Sequence, residues 1–145
     1  MSDKRPTDDV SLRVRYADTD QMRVAYHANY LIWFEVGRTS YCRSCGITYA
    51  EMERHFNAFL PVIEVNCRYR TPLSYDQRFI VRTWIEQLRT RAISFGYLIL
   101  DQDSEDVLAE GSTRHIVTDS DGQACRLPEA LMTRLAATPE SKSTE

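Results

Sequence analysis

The sequence predicts an α+β domain in which one long helix lies against a largely antiparallel five-stranded sheet. The hydrophobic period is two near the start of the chain, switches to the helical 3.6 near residue 29, and returns to two for four runs after about residue 63. Short turn segments such as "DQDSED" and "DSDG" separate the later runs, and strands joined by short turns pair antiparallel. No segment repeats.

Residues 10–16 alternate Val10, Leu12, Val14 and Tyr16 with Ser11, Arg13 and Arg15, the pattern of a strand with one buried face. Over residues 29–45, Tyr30, Trp33, Phe34, Gly37, Tyr41 and Cys45 recur at helical spacing, with Asn29 as the expected N-cap and Gly46 as terminator. Gly37 costs a helix about 1 kcal/mol relative to Ala, so it implies close contact between helix backbone and sheet. Glu35 and Arg38 are spaced to form an ion pair. Residues 47–58 carry no clear period. Ile63, Val65, Cys67 and Tyr69 then alternate with Glu64, Asn66, Arg68 and Arg70 until Thr71-Pro72 ends the run. Strands follow at 79–85, 93–100 and 107–117, and Pro128 opens a short helix to residue 135. One domain over 10–135 is expected, with flexible polar tails at 1–9 and 136–145. A single long helix cannot cover both faces of the sheet, so an oligomer is expected unless the second face is polar.

At 145 residues the chain is long enough for a real core, and its 43% hydrophobic and 27% charged content is that of a globular domain. A net charge of -3 lacks the basic footprint of a nucleic-acid binder. No apolar run approaches a membrane span, and "MSDKRPTDDV" has no apolar signal region, which predicts a cytoplasmic location. The pair Cys42 and Cys45 lies inside the helical pattern with no completing ligand pair, so it reads as packed thiols rather than a zinc or redox site.

The chemistry concentrates in "YADTDQMRVAYHANY". Asp18 and Asp20 precede His27 and Asn29 where the helix begins. The first N–H groups of a helix lack intrahelical partners and sit at the positive end of its dipole, a ready site for a carbonyl oxygen. An aspartate one short loop away can attack that carbonyl or activate a water. Turn and capping roles would equally explain both acids, and spacing does not choose between them. This chemistry demands no metal and no organic cofactor.

"YADTDQMRVAYHANYLIWFEVGRTSYCR" resembles the opening of the 4-hydroxybenzoyl-CoA thioesterase family of hotdog-fold proteins, in its acyl-CoA thioesterase branch. "RYRTPLSYDQ" and "AEGSTRHIVTD" fit the later strands. The resemblance implies a long central helix wrapped by a curved antiparallel sheet, a dimer that continues the sheet across two subunits, and often a tetramer. It implies hydrolysis of an acyl-CoA or acyl carrier protein thioester, with Asp20 as nucleophile or general base. The backbone N–H of His27 would polarise the carbonyl, with the His27 side chain as a second catalytic candidate. Tyr26, Asn29 and Tyr30, together with Arg23, Arg89 and Arg91, are the expected substrate contacts. The arginines are candidates for a carrier's phosphates. Arg23 stands where glycine is common in the family, implying a loop that needs no glycine-only backbone angle; Tyr75 likewise replaces a common glycine. A non-catalytic thioester-binding module and a polyketide-pathway thioesterase are the alternative readings.

Overall fold

In the computed structural model, which describes residues 5–137, the elements run β1 (Asp8–Arg13), a single 3₁₀ turn (Tyr16–Asp18), α1 (Asn29–Ser44), α2 (Tyr49–Phe56), β2 (Val62–Tyr69), β3 (Arg78–Leu88), β4 (Ala92–Asp101), β5 (Val107–Ile116) and α3 (Glu129–Ala136). Residues 1–4 and 138–145 of the expected tails lie outside the described residues. The five strands form one antiparallel sheet in the order β1-β3-β4-β5-β2.

The first strand begins at Asp8, because its carboxylate accepts hydrogen bonds from Ser40 and Ser44 on α1, both at 2.7 Å. Asp9 is fixed as well, by the Arg82 guanidinium at 2.8 and 2.9 Å. The strand stops at Arg13, not at residue 16: the 3₁₀ turn ends the alternation, and Tyr16 is left 79% exposed.

Helix α1 crosses the inner face of the sheet. Trp33 packs on Phe79 with ring centroids 4.5 Å apart, and Phe34 stacks on Tyr97 at 4.3 Å. Gly37 is the point of closest approach, where a Cβ would lie 2.7 Å from Val81 Cγ1 and press on Thr83 Oγ1. The helix ends as expected. Gly46 takes φ +86, its N–H bonds Arg43 O, and the Ile47 N–H reaches Cys42 O, the double closure of a Schellman motif. The expected Glu35–Arg38 ion pair does not form: Glu35 is exposed, whereas Arg38 is buried under the helix beside Tyr49 and Tyr97.

The stretch expected to be irregular contains α2. A reciprocal capping box opens it: the Glu51 N–H donates to Thr48 Oγ1 and the Thr48 N–H to Glu51 Oε1, both at 3.1 Å. Asn57 closes it in the left-handed region. Pro128 caps α3 rather than standing at its first helical position.

Phe79, Val81, Ile93, Phe95, Tyr97, Ile99, Ala109 and His115 are completely buried on the inner face. The outward residues of the same strands mix Arg82, Glu86, Ser94, Ser112 and Arg114 with the half-buried Ile80, Trp84 and Leu98, so the second face is part polar and part apolar. Edge strand β2 departs from the pattern. Val62, Ile63, Val65 and Tyr69 are 42 to 48% exposed, because β2 lies at the sheet edge with β5 as its neighbouring strand among the described residues.

Candidate active site

The two aspartates are separated by what their neighbours offer them. Asp18 is 2% exposed, and the Arg15 N–H and guanidinium each donate to its carboxylate at 2.8 Å. Burial alone would raise its pKa, but the Arg15 hydrogen bonds and charge outweigh this and hold the carboxyl below its usual range. The Asp18 carbonyl meanwhile accepts the Tyr26 N–H at 2.8 Å and Asn29 Nδ2 at 2.7 Å. Asp18 therefore ties β1 to the start of α1.

Asp20 sits on a small return loop closed by its own backbone: the Asp20 N–H donates to Val24 O at 3.1 Å and the Arg23 N–H to Asp20 O at 2.9 Å. The Met22 N–H donates to Asp20 Oδ1 at 2.8 Å, which orients the carboxylate. Its second oxygen has no hydrogen-bond partner among the described residues. Arg23, at the end of this turn, has φ +68. The loop does require the left-handed backbone that glycine favours, and arginine adopts it despite its Cβ. Asp76, rather than Tyr75, takes φ +72 in the facing turn.

Asn29 is not the N-cap of α1. Ala28 occupies that position with helical angles, and the Asn29 side chain reaches back to Asp18 instead. The Asn29 N–H is used by Tyr26 O, and those of Tyr30 and Leu31 by His27 O and Ala28 O at 3.3 Å. Among the described residues, no hydrogen bond takes the N–H of His27 or of Ala28.

A cleft of about 330 Å³ joins these parts, lined by Asp20, His27 and Tyr30 together with Val24, Ala25, Tyr69, Arg70, Thr71 and Pro72. Tyr30 is 3% exposed and meets Tyr69 edge-on at 4.8 Å; burial raises its phenol pKa. Arg70 is paired with Glu110. The wall from the end of β2 was missed in the sequence, although Thr71-Pro72 ending an alternating strand is the signal for it. Tyr26 and Asn29 adjoin the cleft without lining it, and Arg23 stands on the loop beyond it. Arg89 and Arg91 lie in the β3–β4 hairpin, at the far end of β3, roughly 30 Å of extended strand from the Asp20 end. Burial first, then the neighbouring Cys45 against the opposing Arg38, pushes Cys42 up to about 12, and burial first, then Asp8, pushes Cys45 up to about 11, which keeps both helical thiols protonated.

The model of the thioesterase-like superfamily matches residues 14–135. The Bacillus subtilis protein "Putative acyl-CoA thioesterase YneP" is 39% identical over 110 residues, covering 76% of this chain and 78% of its own length. The crystal structure of DHNA-CoA thioesterase from Staphylococcus aureus superposes with a TM-score of 0.79 at 33% identity, over 83% of this chain and 80% of the other. That of 4-hydroxybenzoyl-CoA thioesterase, at 15% identity and a TM-score of 0.81 over 90% and 99% of the two chains, has the same fold. A family match over most of the chain, with relatives at this level of identity, establishes descent: the chain belongs to the thioesterase-like superfamily of hotdog proteins.

Proposed function

We propose that the protein is an acyl-CoA thioesterase in which Asp20 acts on the thioester carbonyl and the helix-start N–H of His27 holds its oxygen. One observation carries the assignment: a single cleft is lined both by Asp20, whose carboxylate the Met22 N–H orients, and by His27, whose backbone N–H has no partner among the described residues. Relatives named acyl-CoA thioesterases support it. As general base, Asp20 takes a proton from water; the hydroxide adds to the carbonyl carbon, the oxyanion rests on the helix start, the C–S bond breaks, and Asp20 passes its proton to the leaving sulfur to release thiol. As nucleophile, the free Asp20 oxygen adds to the carbonyl carbon, the C–S bond breaks to expel the thiolate, and water then hydrolyses the mixed anhydride to free acid and the Asp20 carboxylate. The His27 side chain, exposed at the cleft wall, is a secondary candidate for assisting the leaving group.

A second copy completes the sheet in this reading. The uncovered apolar edge of β2 supports it, because antiparallel pairing of β2 with its own copy buries Val62, Ile63 and Val65. Such pairing sets the Tyr69 end of one β2 beside the Val62 end of the other. It turns the second copy's Arg89–Arg91 hairpin toward this cleft, where it can meet a carrier's phosphates. A cytoplasmic location agrees with four cysteines that are all free. Among the described residues no helix is long and apolar enough to cross a membrane.

Thiol release from a panel of acyl-CoA and acyl carrier protein thioesters tests the function. Asp20→Asn should lower kcat by at least about 10²-fold while leaving the circular dichroism spectrum unchanged. Binding without release by the wild type, or full activity in the variant, rejects the assignment.

A further inference from the structure

Tyr69, at the end of the edge strand, hydrogen-bonds the helix start. Its phenol donates to the His27 carbonyl at 3.0 Å, and its ring packs edge-on against both Tyr30, at 4.8 Å, and His27, at 6.2 Å. Among the described residues the His27 carbonyl has one other partner, the Tyr30 N–H at a longer 3.3 Å. The same peptide unit carries the N–H of Ala28, which, like that of His27, has no partner among the described residues.

We infer that Tyr69 is a positioning residue, fixing the His27–Ala28 peptide so that its Ala28 N–H stays beside the His27 N–H as a second donor to the substrate oxygen. Two physical effects follow from the one hydrogen bond. It restrains rotation of a peptide plane that no cap side chain holds, since Ala28 supplies none. It also polarises that peptide: a carbonyl that accepts a stronger hydrogen bond makes the N–H of its own unit a better donor. The phenol remains a donor throughout the working range, because burial first, and then the neighbouring Cys67 and Tyr30, push Tyr69 up to about 12.

The inference rests on the thioesterase reading, and Tyr69→Phe tests it while keeping both ring contacts. With an acyl-CoA that the wild type hydrolyses, kcat should fall about tenfold, less than the ~10²- to 10³-fold that follows loss of an oxyanion donor itself. KM should stay within about twofold, and the ratio of the two kcat values should stay constant across the neutral range. A trifluoromethyl ketone analogue, whose adduct carries an oxyanion, should bind about tenfold more weakly to the variant. The matching thioether, which has no carbonyl oxygen, should bind both proteins equally. An unchanged kcat overturns the inference while leaving the thioesterase assignment standing; so does equal weakening of both analogues, which marks a role in packing alone. Absence of turnover in the wild type instead rejects the assignment beneath it.

Discussion

His115 lies on the inner face of β5 with no solvent exposure, at one end of a hydrogen-bonded chain. The Leu60 carbonyl accepts from its Nδ1 at 3.0 Å, so its Nε2 accepts from Thr113 Oγ1 at 2.8 Å, and Tyr97 Oη completes the chain at 2.6 Å. Protonation of Nε2 would break this order beside the Arg38 cation. Burial first, and then Arg38, lower the pKa from 6.5 to about 4 against the opposing pull of the Leu60 carbonyl. The unfolded chain therefore binds this proton at a higher pH than the native one. The resulting stability is fully present above about pH 6.5 and is lost as pH falls toward about 4. Urea unfolding at stepped pH should show this decline, and His115→Gln should flatten it. None of this was legible in the sequence, where His115 is one alternating residue among many. The residues mark the Asp18 and Asp20 pair as a candidate site; spacing does not tell the two acids apart and only the family resemblance chooses Asp20, because what separates them in the fold is Arg15 pairing in a turn that alternation cannot foresee.

Element α1 was the best forecast part of the molecule, since its apolar period, Gly37 and Gly46 each answer to a single local rule. Its contact at Gly37 gives a direct test. Ala is the better helix former by about 1 kcal/mol, yet its methyl would meet Val81 and Thr83 in a packed layer. Overpacking of this kind costs about 1–3 kcal/mol, so Gly37→Ala should lower stability by about 1–2 kcal/mol in a denaturant titration. A neutral or stabilising result would mean that the helix can lift off the sheet. Helix α2 was missed although Thr48 and Glu51 stand at capping-box spacing. The motif was there to be read, but eight residues gave too little periodicity to draw attention to it.

At the scale of the whole molecule, strand pairing was foreseen as antiparallel, but the position of β2 at an uncovered edge was not. Burial depends on which strand lies outermost, and that order is a property of the sheet rather than of any segment. The proposed second copy makes a concrete prediction. Val65→Lys places a charge on the apolar edge and should shift the protein to monomer in size-exclusion chromatography. The wild-type melting temperature should rise with protein concentration while that of the variant stays constant. The sheet order also bears on the sequence of events in folding. Strand β2 leaves the ribosome before β3, β4 and β5, yet among the described residues its strand partner is β5. It must wait for the three later strands and then pair Tyr69 with Ala109 and Val62 with His115, long-range contacts that are slow to make. Because Tyr69 and Arg70 stand at its end, the cleft gains its second wall last, so a newly made chain acquires its core before its capacity to act.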